Sequence, residues 1–477
     1  MDDYFEKNIG KAVTFEALLE SGNKVLKPNG KDLTQFEKWF SHQGVPTVQV
    51  CYDQNVETGK FTLTLSQSNV HPETKEKQSP FAIPFSYELI GKEGKVYHPR
   101  TNIILEDEQQ TIEIDAAGDD VIPVLMHGYS APIILKCNYT LQQLESIALF
   151  SKDVYCKWKA GQDYAINAIK EVMDRQKNSS ADYSDLVTFY KKALESENLS
   201  YIAKCQLLTL PSLEDLSQKL NCFDFELLNK GRGALLQGIT KECKDNLCNL
   251  YYTLPKAEKY EPTQEQMGVR DLRNKCLQLL VAHDPQIFAV EAWTQYNANR
   301  QSQNSTSHNF TDAFAAFSAL VENNTEFKEQ AIKLFYEDWK KDKTVFNYWL
   351  TAQSSGKCSI EELEKLNLAY EKNDDLIWGF DERNPNHLRS IYRKFIENPL
   401  NFHRPDGKGY RFIVDAILKI GQFNPTVSHN SLCIGAIANF SNLPLHQQAI
   451  FAKELRRLLC DESPSQTREA VGKLLEN

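Results

Sequence analysis

The spacing of apolar residues changes period twice along the chain. Over residues 1–39, Tyr4-Phe5, Phe15, Leu18-Leu19, Phe36 and Trp39-Phe40 recur at intervals that predict helices with one buried face. From about residue 45 to 137 the period becomes two. Phe61, Leu63 and Leu65 alternate with Thr62, Thr64 and Ser66; Ile112 and Ile114 alternate with Glu113 and Asp115; Val48 and Val50 flank Gln49. Such alternation sets one face of a strand in a core and the other in water. Turn residues at 55–59 and 91–94 separate the runs. The run Ile133-Ile134-Leu135 predicts a more deeply buried strand. Together these strands predict a small antiparallel β-sandwich.

Beyond residue 140 the period is helical to the end. Thr140 and Gln143 fit a capping box ahead of Leu144 and Ala148. Asn384 before Pro385 fits an N-cap with proline at the first helical position, and Leu388, Ile391, Tyr392 and Phe395 then follow at helical spacing. Asn424-Pro425 repeats that start signal, and Ile413, Ala416, Ile417 and Ile420 form another apolar stripe. Many short helices without long linkers predict one solenoid of stacked helix pairs, with a compact all-α bundle as the alternative. The fold class is therefore multidomain α+β: a small antiparallel β-sandwich followed by a large all-α superhelical domain. The boundaries are 1–39 for terminal helices, 40–138 for the sandwich and 139–477 for the superhelix.

Composition narrows the function classes. At 477 residues the chain exceeds what one core organises. A formal charge of −10 argues against broad nucleic-acid binding, which needs a basic face. No apolar run reaches the roughly 20 residues a membrane helix needs, and the acidic start Met1-Asp2-Asp3 lacks a signal-peptide profile. Eleven cysteines, an odd number, fit reduced thiols in the cytoplasm. Cys243 and Cys248 lack the tighter spacing and the second pair that a structural zinc site uses. The ten histidines, at 42, 71, 98, 127, 283, 308, 387, 403, 429 and 446, include no two that are four apart. His-Glu-x-x-His, which puts two imidazoles and a carboxylate on one helical face, is absent.

Several blocks in order carry a resemblance. Leu33-Thr34-Gln35-Phe36-Glu37-Lys38-Trp39-Phe40 with Gly44-Val45-Pro46-Thr47-Val48, then Gly128-Tyr129-Ser130-Ala131-Pro132, lie around the sandwich. Arg270 to Leu277, Asn309 to Ala313, Asn384 to Ser390, Phe402-His403 and Asp406 to Tyr410 lie in the helical part. Together they resemble the C-terminal half of bacterial aminopeptidase N, of the M1 zinc metallopeptidases. The resemblance implies a chain that runs from the last helices of a thermolysin-like catalytic domain, through a β-sandwich, to a helical superhelix. The family's Gly-x-Met-Glu-Asn and zinc-binding motifs have no counterpart here. Tyr4 aligns with a structural aromatic. Zinc is then implied for the complete enzyme and no cofactor for this chain, which by itself should hold no zinc and cleave no aminoacyl amide.

The implied role is to enclose the active-site chamber and gate peptide access while a catalytic half removes N-terminal residues. Partners would be that half, in cis or in trans, and peptides, with no nucleic acid and no membrane. The residues proposed for the chamber wall are His403, Arg404, His387 and Arg389. The blander readings are a loop hydrogen bond for His403 and a solvated or interdomain face for His387 and Arg389. Arg270, Asp271 and Arg273 read as local salt bridging. Gly407-Lys408-Gly409 reads as a turn rather than a phosphate loop. A stand-alone protein-interaction scaffold is the competing function.

Overall fold

Phe61, Leu63 and Leu65, which set the two-residue period, point into a core between two sheets. The computed structural model describes residues 1–476 except 117, 119, 178–181, 257–260, 301–308, 356–358 and 365–379. Its strands are β1 (Thr47–Asn55), β2 (Lys60–Val70), β3 (Lys77–Gln78), β4 (Ile83–Ile90), β5 (Val96–Leu105), β6 (Gln109–Asp115), β7 (Ile122–Leu125) and β8 (Ile134–Cys137). One sheet runs β3-β2-β1-β8 with β6 also paired to β2; the other runs β5-β4-β7. β1 and β2 are antiparallel with Val50 opposite Leu65, so Val48, Val50, Leu63 and Leu65 share the inner face. Phe81, Phe85, Tyr87 and Leu89 meet them from the second sheet. Nearly full burial of side chains this size is worth roughly 1.5–3 kcal/mol each.

One strand departs from expectation. Ile134 is 44% exposed, and β8 alternates exposed with half-buried positions. The reason is its place: β8 pairs in parallel with β1 alone, at the sheet's edge. The strand buried at every position is β7, which lies against β4.

The first 41 residues form helices Asp2–Asn8, Phe15–Leu26 and Lys38–Ser41. Their end is fastened to the sandwich. Trp39 packs on Phe81 with ring centroids 4.7 Å apart and donates Nε1–H to the Ala82 carbonyl at 2.9 Å. Gln35 and Lys38 donate to the Pro80 carbonyl. Their beginning is not fastened in this way. Helix Asp2–Asn8 buries no residue, and Phe15–Leu26 buries only Leu19 and Ser21.

The capping box forms as read. Thr140 accepts from the Gln143 backbone N–H, and the Gln143 side chain accepts from the Thr140 N–H, opening helix Leu141–Phe150. Chain compactness divides the molecule into Met1–Tyr164 and Ala165–Asn477. Helix Leu141–Phe150 therefore belongs with the strands, where it packs near β7.

The second unit is helical throughout its described residues. Helix Gln264–His283 packs against Lys244–Thr253, Pro285–Asn299 and Phe310–Glu322. A buried polar network ties these elements. Arg273 pairs with Asp312, Asn274 donates to the same carboxylate at 2.8 Å, and Gln295 donates to Asn274 at 2.8 Å. The expected local bridging at Arg270, Asp271 and Arg273 is thus replaced, for Arg273, by a partner 39 residues away. Trp349 is buried and donates Nε1–H to the Ile332 carbonyl. Asn384 caps Pro385–Leu388 as expected, and Ile413, Ala416, Ile417 and Ile420 are buried on helix Lys408–Gly421. Two stretches widen to π geometry, Arg389–Arg393 and Val427–Cys433.

Candidate functional site

A cavity of about 300 Å³ opens in the helical unit. Phe225 reaches it from the start of helix Phe225–Glu242, and Arg393 from the first π stretch. Phe402 and His403 come from the end of helix Pro399–Phe402, and Asn430 and Ser431 from the second π stretch. A π turn inserts an extra residue per turn and redirects side chains, and such insertions recur at functional sites. Nothing in the apolar spacing of 388–395 announced one, because a single inserted residue leaves the buried stripe almost intact.

His403 is the best-defined polar group of the lining. It is 8% exposed, its ring stacks on Phe225 at 4.8 Å and 7°, and Nδ1 lies 2.9 Å from the Tyr410 hydroxyl. Burial lowers its pKa to about 4, so at neutral pH the imidazole is uncharged. Burial also pushes the Tyr410 phenol well above its ordinary value, which keeps it protonated. The tight turn before Tyr410 makes this pairing possible. Gly407 takes φ +69°, and a Cβ on Gly409 would lie 2.4 Å from the carbonyls of Asn401 and Phe402. Gly407-Lys408-Gly409 is thus a turn with a close backbone approach.

Of the four residues named from the sequence for a chamber wall, His403 lines this cavity, and Arg404, Arg389 and His387 do not. Arg389 is exposed and donates to the Ser431 hydroxyl at 3.3 Å, at the cavity's edge. Arg404 forms a two-pronged pair with Asp406 in the adjoining turn. His387 is buried beside Phe346 and Phe380, and its Nδ1 accepts from the Asp381 N–H at 3.0 Å. Burial lowers its pKa as well. Sequence reasoning missed Phe225, Asn430, Ser431 and the Arg393–Glu397 ion pair at the rim, 3.1 Å. These residues come from segments far apart in the chain.

A second cavity of about 160 Å³ is lined by Arg232, Lys275, Gln278 and Glu322 among leucines and alanines. The surrounding protein draws the Lys275 pKa down and the Glu322 pKa up.

The larger cavity is equipped for binding. It offers apolar side chains in Phe225, Phe402 and Ile434, a neutral imidazole, an amide and a hydroxyl, and the charged Arg393 and Glu397. A catalytic zinc needs converging imidazole and carboxylate ligands with one position open. His403 is the one imidazole of the lining and its Nδ1 already engages Tyr410. The donors here do not fit that ion, and no chemical step is derived through it.

Two family models meet near residue 140, ahead of helix Leu141–Phe150. Residues 44–138 match a domain of unknown function described as DUF3458, Ig-like fold, and residues 141–476 match DUF3458_C, ARM repeats. Aminopeptidase N of Escherichia coli is 28% identical over 440 residues, covering 90% of this chain and 48% of that protein. Aminopeptidase N of Haemophilus influenzae is 25% identical over 488 residues, covering 100% and 54%. A crystal structure of Legionella pneumophila aminopeptidase A in complex with aspartic acid superposes with a TM-score of 0.83 at 26% identity, covering 99% of this chain and 53% of that one. The chain spans about half the length of the relatives it matches. With its helical unit matched nearly end to end, the chain belongs to the DUF3458_C ARM-repeat family and is similar to the C-terminal part of aminopeptidase N.

Proposed function

We propose that this chain serves as the non-catalytic C-terminal half of a zinc aminopeptidase in the cytoplasm. Its helical unit walls the reaction chamber and limits which peptides reach a catalytic half, joined in cis or bound in trans. The carrying observation is the pairing of two facts. The chain matches half of each aminopeptidase N, and the ten histidines contain no spaced zinc-ligand set. The cavity at His403 supports a wall role, since a neutral imidazole, Asn430 and Ser431 can hydrogen-bond a peptide without performing hydrolysis. Phe5, Ile9, Val13, Val25 and Phe40, all more than 40% exposed on the first 41 residues, supply apolar surface for the catalytic half. Among the described residues no helix is long and apolar enough to cross a membrane.

The test is to mix the purified chain with a recombinant catalytic half of an aminopeptidase N and to measure complex formation by sedimentation. A one-to-one complex that is lost on Phe5→Asp with Phe40→Asp supports the reading. Two components that sediment independently at all concentrations would favour a free-standing scaffold.

A further inference from the structure

Four side chains with ligand chemistry meet in the first unit, away from the residues used above. Glu88 stands in β4, opposite Val124 of β7. His127 follows β7 in a turn where Met126 and Tyr129 take left-handed φ of +64° and +55°. Asp153 and Cys156 stand one turn apart at the start of helix Val154–Lys177. His127 and Cys156 are each 4% exposed and Glu88 is 8% exposed. One ligand atom from each of His127, Asp153 and Cys156 lies within 4.8 Å of the other two.

The hydrogen bonding around this group is incomplete in one place. The Asp153 carboxylate is held by two backbone donors, Gly128 N–H and Cys156 N–H, each at 2.9 Å. The Cys156 thiol donates to the Leu125 carbonyl at 3.2 Å. His127 lies between two carboxylates and bonds neither: Nδ1 is 4.0 Å from Asp153 Oδ2 and Nε2 is 3.9 Å from Glu88 Oε2. Nε2 is buried without a hydrogen-bond partner. Buried polar atoms in folded proteins are almost always satisfied, so the unpartnered Nε2 leaves room for a further contact.

We propose that His127 Nδ1, the Asp153 carboxylate and the Cys156 sulfur bind a zinc-class divalent cation, with Glu88 accepting the Nε2–H of the imidazole. Nitrogen, sulfur and oxygen donors together suit a borderline-soft ion, whereas magnesium and calcium take oxygen alone. Zinc bonds of roughly 2.0–2.3 Å require donor separations of about 3.3–3.8 Å, so the three ligand atoms, which lie within 4.8 Å of one another, close in by up to about 1.5 Å. Closing the ring onto the ion turns Nε2 toward Glu88, the carboxylate–histidine–metal relay that fixes a ligating tautomer. Binding releases one proton to solvent: the Cys156 S–H bond breaks, the sulfur lone pair bonds the metal, and His127 keeps its proton on Nε2. Arg100, whose field reaches both His127 and Cys156, is offset by two carboxylates and the thiolate. The proposed site departs from the expectation, drawn from ligand spacing, that the chain holds no zinc of its own.

Zinc chloride titrated into the metal-free full chain, followed by calorimetry in two buffers of different ionisation enthalpy, tests the site. The expected result is one equivalent bound with net proton release. Cobalt in place of zinc should give a thiolate-to-metal charge-transfer band. Cys156→Ser should remove that band, and Glu88→Gln should keep the stoichiometry while weakening binding roughly 10–100-fold. Cys248→Ser, outside the cluster, should change nothing. Absence of tight zinc binding, or zinc binding and a thiolate band that survive in Cys156→Ser, would overturn the proposal. Should Cys156→Ser not fold, the cobalt spectrum of the unaltered chain decides: without a thiolate band the site is refuted.

Discussion

At His403 the burial that shapes the cavity also writes a pH dependence. Its pKa is lowered from 6.5 to about 4, so between those values the unfolded chain binds a proton that the folded chain does not. The stability this residue contributes is complete above about pH 6.5, falls as pH drops through the window, and is gone below about pH 4. The shift corresponds to about 3 kcal/mol at most. Thermal melts of His403→Gln should lose less stability between pH 6.5 and 4 than the unaltered chain; parallel pH profiles would contradict a buried neutral imidazole. Asp312 makes a second prediction. Asp312→Ala strands the Arg273 guanidinium in a site where its side chain is 5% exposed. Removing one partner of a buried pair costs roughly 3–5 kcal/mol, readable by urea denaturation, whereas a loss below about 1 kcal/mol would mean water reaches the arginine. In the sequence His403 stood out as a residue of a polar loop, and Asp312 only as part of the block Asn309 to Ala313. Their partners did not, because Phe225 and Tyr410 on one side and Arg273 on the other are joined by packing rather than by spacing.

Elements follow the same division between local and non-local causes. The strands of 47–70, the Thr140 capping box and the Asn384-Pro385 start were legible, since each depends on residues within one turn or one pleat. Edge position was not: Ile133-Ile134-Leu135 is apolar enough for a central strand, but only pairing decides that β8 has one neighbour. Nor were the π stretches, or the meeting of Glu88, His127, Asp153 and Cys156, of which only the last two are near in sequence. Thr140→Ala should cost about 1 kcal/mol through loss of the cap, measured on the same denaturation curve. Gly409→Ala should cost more, about 1–3 kcal/mol, because two backbone carbonyls occupy the place of its Cβ. Gly472→Ala, with open space around it in helix Ser465–Glu476, should instead stabilise by about 0.5–1 kcal/mol. Equal effects at the two glycines would refute the close-approach argument.

For the whole molecule, the first 41 residues are the informative part. Only Leu19 and Ser21 are buried in helices Asp2–Asn8 and Phe15–Leu26, while Trp39 is bonded to the sandwich. Hydrogen exchange should therefore be fast over residues 2–26 of the isolated chain and slow near Trp39, with 2–26 gaining protection when a catalytic half is added. Strong protection of 2–26 in the isolated chain would instead mark a completed fold. The resemblance to aminopeptidase N was legible because several ordered blocks on both sides of residue 140 carried it, and the Escherichia coli protein is 28% identical over 440 residues. The proposed gating role comes from the resemblance, and the cavity that supports it is lined from four separated segments, which no single sequence motif could announce. Its most direct measurement is the ratio of hydrolysis rates for a short and a long peptide, taken with a catalytic half alone and again with this chain bound. Binding this chain should raise the ratio at least several-fold, with no hydrolysis by this chain alone. An unchanged ratio in a demonstrated complex would contradict it.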